Sequence, residues 1–208
     1  MRDLISEIND LKNSKIKEII DSRTKDFFDF QDKPSREIFK ELCFCLLTAN
    51  YSAEPSIRIQ KEINDGFLHL PEELLAKKLK SLGYRFPNTR AKFILNARYL
   101  SDNIKENLHK FGSDAEIRDW LVKNVKGIGM KEASHFLRNI GYKNVAIIDF
   151  HIIDLLVKNN LMKKPKSINQ KKYLDIENIL KEISKKTGLS LGELDLYLWY
   201  METGKVLK

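Results

Sequence analysis

The stretch Lys126-Gly127-Ile128-Gly129-Met130-Lys131-Glu132-Ala133 decides how the chain is read. An amphipathic run ends at Val125 just before it, and a second extends through it to Ile140, so the segment reads as helix, glycine turn, helix. Two glycines flanking one aliphatic residue let the backbone turn tightly with no side chains in the way. The amides at the N-terminus of the second helix are then free to hold a phosphate. Such a hairpin grips a nucleic-acid backbone without reading its sequence. The pair Gly127 and Gly129 alone fits an ordinary glycine-capped helix turn equally well, so its role as a DNA-backbone contact depends on the residues around it.

Outward from the turn, apolar residues recur at helical spacing almost everywhere, and alternating apolar and polar runs are nearly absent. The chain is therefore expected to be all-α. Ser113-Asp114-Ala115-Glu116 and Ser190-Leu191-Gly192-Glu193 both fit the capping box that opens a helix. Gly83, Gly141 and Gly188 follow helix-like runs and suit left-handed residues just past helix ends. The run from Ile38 to Leu47 is apolar on nearly every side, as expected of a helix at the centre of a bundle. Linkers are short, the longest polar one being Lys163-Lys164-Pro165-Lys166-Ser167, and composition marks no domain boundary.

Composition narrows the function. With 208 residues, 42% hydrophobic and 10% aromatic, the chain can bury a proper core, which excludes disorder as its main state. The 37 Lys and Arg against 29 Asp and Glu give a net charge of +8; this favours a polyanionic partner, although abundant lysine also makes many ordinary enzymes basic. No apolar run reaches the ~18 residues of a membrane span. The start Met1-Arg2-Asp3-Leu4-Ile5-Ser6-Glu7 carries acids where a signal peptide would be apolar, so a cytoplasmic, nucleoid-associated protein is expected. Cys43 and Cys45 suit burial as free thiols; two sulfurs alone make neither a zinc site nor an iron–sulfur site, and no metal or cofactor is expected.

Two residues near the turn carry chemistry. Lys131 lies in the first turn of the second helix, where the positive end of the helix dipole disfavours an ammonium, and a neutral lysine is a nucleophile. In Val145-Ala146-Ile147-Ile148-Asp149-Phe150-His151, one carboxylate follows four small or aliphatic residues and precedes a helical run. Asp149 is thus an expected N-cap. An N-cap carboxylate beside a lysine amine at the junction of two helices can also take a proton or stabilise a cation.

The Gly-Ile-Gly-Met-Lys turn, followed 18 residues later (149 minus 131) by Asp149, resembles the helix-hairpin-helix, Gly/Pro-rich-loop, aspartate superfamily of DNA glycosylases. The Lys131 and Asp149 pair resembles its bifunctional members. The whole chain, including the C-terminal Leu196-Tyr197-Leu198-Trp199-Tyr200-Met201-Glu202-Thr203-Gly204-Lys205-Val206-Leu207-Lys208, is similar to the type-2 8-oxoguanine DNA glycosylase/lyases. It lacks the C-terminal four-cysteine cluster of the endonuclease III branch, and the loop before Asp149 lacks the Gly/Pro pair of the motif.

The resemblance implies a monomeric enzyme with two helical lobes, residues 35–124 in the centre and residues 1–34 with 125–208 from both chain ends, and a DNA cleft between them. It implies double-stranded DNA containing 8-oxoguanine as partner, with Lys131 attacking the anomeric carbon and Asp149 stabilising the sugar cation. A Schiff base and strand cleavage 3′ to the lesion follow. Asn50, in Leu47-Thr48-Ala49-Asn50-Tyr51, is the residue implied to enter the vacated base stack. Arg85 and Phe86, at the tip of Gly83-Tyr84-Arg85-Phe86-Pro87-Asn88, suit a wedge beside a phosphate contact. Guanine N7 is an acceptor, whereas the oxidised base carries a hydrogen there; the resemblance assigns its reading to Lys208, through the terminal carboxylate. Trp199 is the implied stacking platform, competing with a plain core role. His135, four residues after Lys131 on the same helix face, is a candidate base-pocket residue, whereas His151 reads as structural. Two rival readings stay open: a glycosylase or lyase of the same superfamily for another lesion, and a non-enzymatic helix-hairpin-helix module that only grips DNA.

Overall fold

The computed structural model describes residues 1–208, all in helices, turns and connections with no strand. In chain order the helices are α1 (Arg2–Lys12), α2 (Ile16–Asp29), α3 (Ser35–Thr48), α4 (Ala53–Ile63), α5 (Gly66–His69), α6 (Glu72–Ser81) and α7 (Pro87–Ala97). They continue as α8 (Ile104–Leu108), α9 (Asp114–Asn124), α10 (Met130–Asn139), α11 (Phe150–Lys158), α12 (Gln170–Thr187) and α13 (Leu191–Thr203).

The punctuation read from the sequence falls where the helices stop and start. Gly83, Gly141 and Gly188 all adopt positive φ, at +81°, +91° and +67°, as a residue just past a helix end requires. Ser190 and Glu193 form the complete capping box of α13. At α9 the expectation needs correcting: the Ser113 hydroxyl caps the Glu116 amide, but the Glu116 carboxylate turns away to accept from Gly112 N instead of Ser113 N.

Helix α3 is the hub. Every residue from Ile38 to Thr48 is buried, and α4, α5, α7, α8 and α10 all pack against it. Cys43 and Cys45 are buried there as free thiols, and burial pushes both well above the ordinary thiol range. Two main cores result. The larger runs from Ile38 through the hairpin to Val145. The smaller combines Leu4 and Ile8 of α1 with Ala146 and Ile148 and with residues of α11, α12 and α13, so the two chain ends fold together.

The hairpin joins α9 to α10. Gly127 is held at φ +92°, and a Cβ there would lie 2.2 Å from Cδ2 of Phe93, so both conformation and close approach demand glycine. Gly129 differs: it is the N-cap of α10 with extended backbone, and a Cβ there would meet only Glu132 Oε2, at 3.4 Å.

Candidate active site

Helix α10 begins at Gly129, and no side chain caps it, so the amides of its first turn are left for an external acceptor. Lys131 lies in this turn, partly exposed, with Glu132 Oε1 3.8 Å from its Nζ. Beyond α10 the chain turns at Gly141 and runs without helix through the buried residues Val145–Ile148 to Asp149. Asp149 is the N-cap of α11, its Oδ1 accepting from Ile152 N at 3.0 Å. The expectation that Asp149 caps a helix is therefore met, which leaves Oδ2 outside the cap bond.

Lys131 and Asp149 open onto one cleft of about 810 Å³. The same cleft is lined by His135, Trp199, Lys208 and Asn50, so six of the residues singled out in the sequence converge on one space. Four others stand apart from its walls. Gly127 and Gly129 sit at the hairpin tip, and Arg85 and Phe86 are exposed on the α6–α7 connection, the guanidinium 4.9 Å above the Phe86 ring. That connection is tied to the cleft edge: Tyr84 donates to the Leu47 carbonyl at 2.7 Å, and Tyr51 packs edge-on against Tyr84. Asn50, next to Tyr51, is exposed with φ +58°, a left-handed conformation that asparagine tolerates better than most residues.

The pocket walls are chemically distinct. His135 is buried, and neither ring nitrogen makes a hydrogen bond of good geometry. Burial first, then the charges of Arg138 and Lys131, holds it well below the usual histidine value, against a smaller opposing pull from the Lys208 backbone. It is a neutral imidazole, edge-on to Phe44. Trp199 faces the cleft with its indole N–H unpartnered and takes an edge-on contact from His151, whose ring also lies 4.0 Å from that of Phe150. His151 thus lines the cleft instead of serving only the core.

Lys208 is held by its side chain. Its ammonium donates to Glu41 Oε2 at 2.8 Å and to Gln60 Oε1 at 2.5 Å, and it lies 4.2 Å from the Phe44 ring centroid. Glu41 is buried and also accepts from Asn139 Nδ2 at 2.7 Å and Gln60 Nε2 at 3.0 Å. This box pins the last residue at the cleft wall.

Two buried acids went unread in the sequence: Asp195, which lines the cleft, and Glu41, which anchors Lys208. Asp195 on α13 pairs with Arg138 of α10 at 3.2 Å, both side chains nearly buried. Burial pushes the Asp195 carboxyl up to about 6, with Asp149 adding to the rise and Arg138 opposing it. The readable signal was a lone acid four residues before Trp199 in the apolar run Leu194-Asp195-Leu196-Tyr197-Leu198. Glu41 gives the same signal within Ile38–Leu47.

A family profile described as 8-oxoguanine DNA glycosylase matches residues 20–189. The chain belongs to this family. It is 56% identical over 206 residues to the 8-oxoguanine DNA glycosylase/AP lyase of Methanocaldococcus jannaschii, covering 99% of each chain. To the enzyme of that name from Thermotoga maritima it is 45% identical over 210 residues, with full coverage of both. The crystal structure of the M. jannaschii glycosylase/lyase in complex with a 15mer DNA containing 8-oxoguanine superposes with a TM-score of 0.96 at 55% identity, covering 99% of both chains. The T. maritima 8-oxoguanine DNA glycosylase gives a TM-score of 0.92 at 44% identity, over 100% of this chain and 99% of that one. No helix of the chain is long and apolar enough to cross a membrane.

Proposed function

We propose that this family member excises 8-oxoguanine from double-stranded DNA and then cleaves the abasic strand, with Lys131 as nucleophile and Asp149 as the charge-stabilising carboxylate. The observation that carries the assignment is the convergence of these two residues, from the first turn of one helix and the cap of the next, on a single cleft. DNA lies between the central lobe, residues 35–124, and the lobe of both chain ends, residues 1–34 and 125–208. The chain acts as a monomer, inside the cell, on chromosomal DNA.

Excision breaks the bond between C1′ and the purine nitrogen. Positive charge gathers on the sugar as that bond stretches, and a carboxylate at Asp149 stabilises it electrostatically. The Lys131 amine forms a bond to C1′ as the base departs with the bonding pair and takes up a proton from water. Ring opening of the aminal gives a Schiff base between Lys131 and C1′. That iminium acidifies the C2′ hydrogen; its loss expels the 3′ phosphate and cuts the strand. No step calls for a metal or cofactor.

The remaining wall residues suit a flipped base. Trp199 offers an aromatic face, and neutral His135 adds a pocket wall that carries no charge. Lys208, anchored through its ammonium, presents the main-chain carboxylate to the N7 hydrogen that only the oxidised base carries. Asn50, Arg85 and Phe86 stand on the adjoining rim, where they fill the vacated stack and contact the backbone; the Gly127–Gly129 turn holds a phosphate through its amides.

Borohydride trapping on a duplex with one 8-oxoguanine tests the reading. A covalent adduct that requires both the lesion and Lys131 is expected, and Lys131→Gln abolishes it while leaving folding and DNA binding intact. Strand cleavage retained by Lys131→Gln sinks the nucleophile assignment; trapping only on a pre-formed abasic site sinks the lesion assignment.

A further inference from the structure

The segment Val145–Ile148 delivers Asp149 to the cleft, yet it is non-helical and buried in an all-helical protein, with no helical ladder and no strand beside it to satisfy its backbone. A buried amide or carbonyl left unpaired is destabilising, so its partners matter. Those of Ala146 and of the Ile148 amide come from two side chains of α12. Glu177 Oε1 accepts from Ala146 N at 2.9 Å; the Tyr173 hydroxyl donates to the Ala146 carbonyl at 2.7 Å and accepts from Ile148 N at 3.2 Å. Ile148 directly precedes Asp149.

The same two side chains reach the helix that carries Lys131. Arg118 of α9 donates two hydrogen bonds to Glu177, at 2.5 and 3.0 Å, and both Arg118 and Tyr173 lie 3.4 Å from the Ser134 hydroxyl. Ser134 follows Lys131 by three residues on α10. One buried cluster therefore touches the segment ending in Asp149 and the helix that carries Lys131 in its first turn. Neither Tyr173 nor Glu177 lines the cleft, so neither touches substrate.

We propose that Tyr173, together with Glu177, is a positioning residue that fixes Asp149 in register with Lys131 by standing in for the missing strand partner of residues 146–148. The inference rests on the reading of Asp149 as the catalytic carboxylate. Displacement of a catalytic group by about 1 Å can cost up to 10²-fold in rate, so small shifts of this segment are expected to be felt in chemistry.

Tyr173→Phe keeps the ring and removes the hydroxyl. Excision is read under single-turnover conditions on 8-oxoguanine duplex, giving both a rate constant and a final extent. The expected result is a rate at least ~10-fold lower, with the extent unchanged and unchanged affinity for a duplex carrying an uncleavable abasic analogue. In the Asp149→Asn background the same substitution should change the residual rate by less than about twofold, because its effect runs through the carboxylate. A merely structural role gives the opposite pattern: a lower extent at wild-type rate, or equal slowing in both backgrounds. Amide hydrogen exchange of the wild-type protein adds a readout that needs no variant. Ala146 and Ile148 should exchange as slowly as core helix amides, and fast exchange at both overturns the proposal. If Asp149→Asn alone excises at wild-type rate, the catalytic reading of Asp149 has failed, and that result is separate from the behaviour of Tyr173.

Discussion

Asp195→Asn gives a quantitative check on the electrostatics of the cleft. The folded carboxyl sits at about 6, raised from 3.8 by burial. A carboxyl raised on folding holds its proton to higher pH in the folded than in the unfolded state. Its contribution to stability is therefore greatest below 3.8 and is lost as pH rises through about 6. Linkage arithmetic puts the burden of the ionised group at about 3 kcal/mol at pH 7 and about 2 kcal/mol at pH 5, so acidification returns roughly 1 kcal/mol. In a chain of this length that corresponds to a melting shift of roughly 2–4 °C. The assay is urea unfolding of wild type and variant at pH 5 and pH 7, compared as a double difference. Two other effects cancel in it. The substitution leaves Arg138 without its carboxylate and lowers stability at both pH values, whereas buried neutral His135, held well below its usual value, penalises acid pH in both proteins. Wild type should gain about 1 kcal/mol more than the variant on going from pH 7 to pH 5; equal pH dependence in the two would refute the reasoning. Because Asp149 contributes to the rise, Asp149→Asn should shrink the gain.

Three further predictions concern the site and its hairpin. Asp149→Asn should leave stability within about 0.5 kcal/mol, since asparagine caps as well as aspartate, while single-turnover excision falls about 10²–10³-fold; a normal rate in urea-stable protein reduces Asp149 to a cap. Removal of Lys208 should lower discrimination between 8-oxoguanine and guanine by about 10–100-fold, the worth of one base-edge contact, read as a ratio of kcat/KM values. Glu41→Gln should relax it in the same direction by a smaller factor, and unchanged selectivity there would separate the ammonium anchor from base reading. Gly127→Ala should destabilise by more than about 2 kcal/mol, because a Cβ there meets Phe93 at φ +92°. Gly129→Ala should cost little stability and weaken DNA binding, and the reverse ranking in thermal melts would contradict the packing described for the turn.

Much of this was legible in the sequence because it is written locally. Helical spacing, the glycines at 83, 141 and 188, the Ser190 capping box and the Asp149 cap each depend on residues within a turn or two of one another, and all appear as read. Lys131 and Asp149 were legible for the same reason: each stands at a helix start that the sequence announces. What escaped reading is the pairing of buried polar and charged groups. Arg118 and Glu177 are 59 residues apart, Asn139 and Glu41 are 98 apart, and Lys208 and Glu41 are 167 apart. Periodicity carries no information about such partners. The only local trace is a lone acid inside an apolar run, as at Glu41 and Asp195, and this says that a partner exists without naming it. Ser113 shows the converse limit: its motif predicted a reciprocal pair, but the Glu116 carboxylate had a second amide, that of Gly112, within reach.

These long-range pairs share a position that explains why they matter. Lys131 belongs to α10, which packs with the larger core, whereas Asp149, Asp195 and Trp199 belong to elements of the smaller one. The site is built across the seam, so its geometry depends on the register of two apolar masses. Apolar contacts are non-directional and tolerate sliding. Three ion pairs cross the seam: Arg118 of α9 to Glu177 of α12, Arg138 of α10 to Asp195 of α13, and Lys208 to Glu41 of α3. Buried pairs of this kind add little net stability over well-packed apolar replacements, but Arg118–Glu177 and Lys208–Glu41 are hydrogen-bonded, and such bonds hold only within a few tenths of an ångström and a narrow range of angles. Their placement at the seam, beside Lys131 on one side and Asp149 on the other, is what the proposed reaction, sensitive to ångström displacements, requires. Repacking any one of them with apolar residues of equal volume should therefore preserve the fold and slow the chemistry.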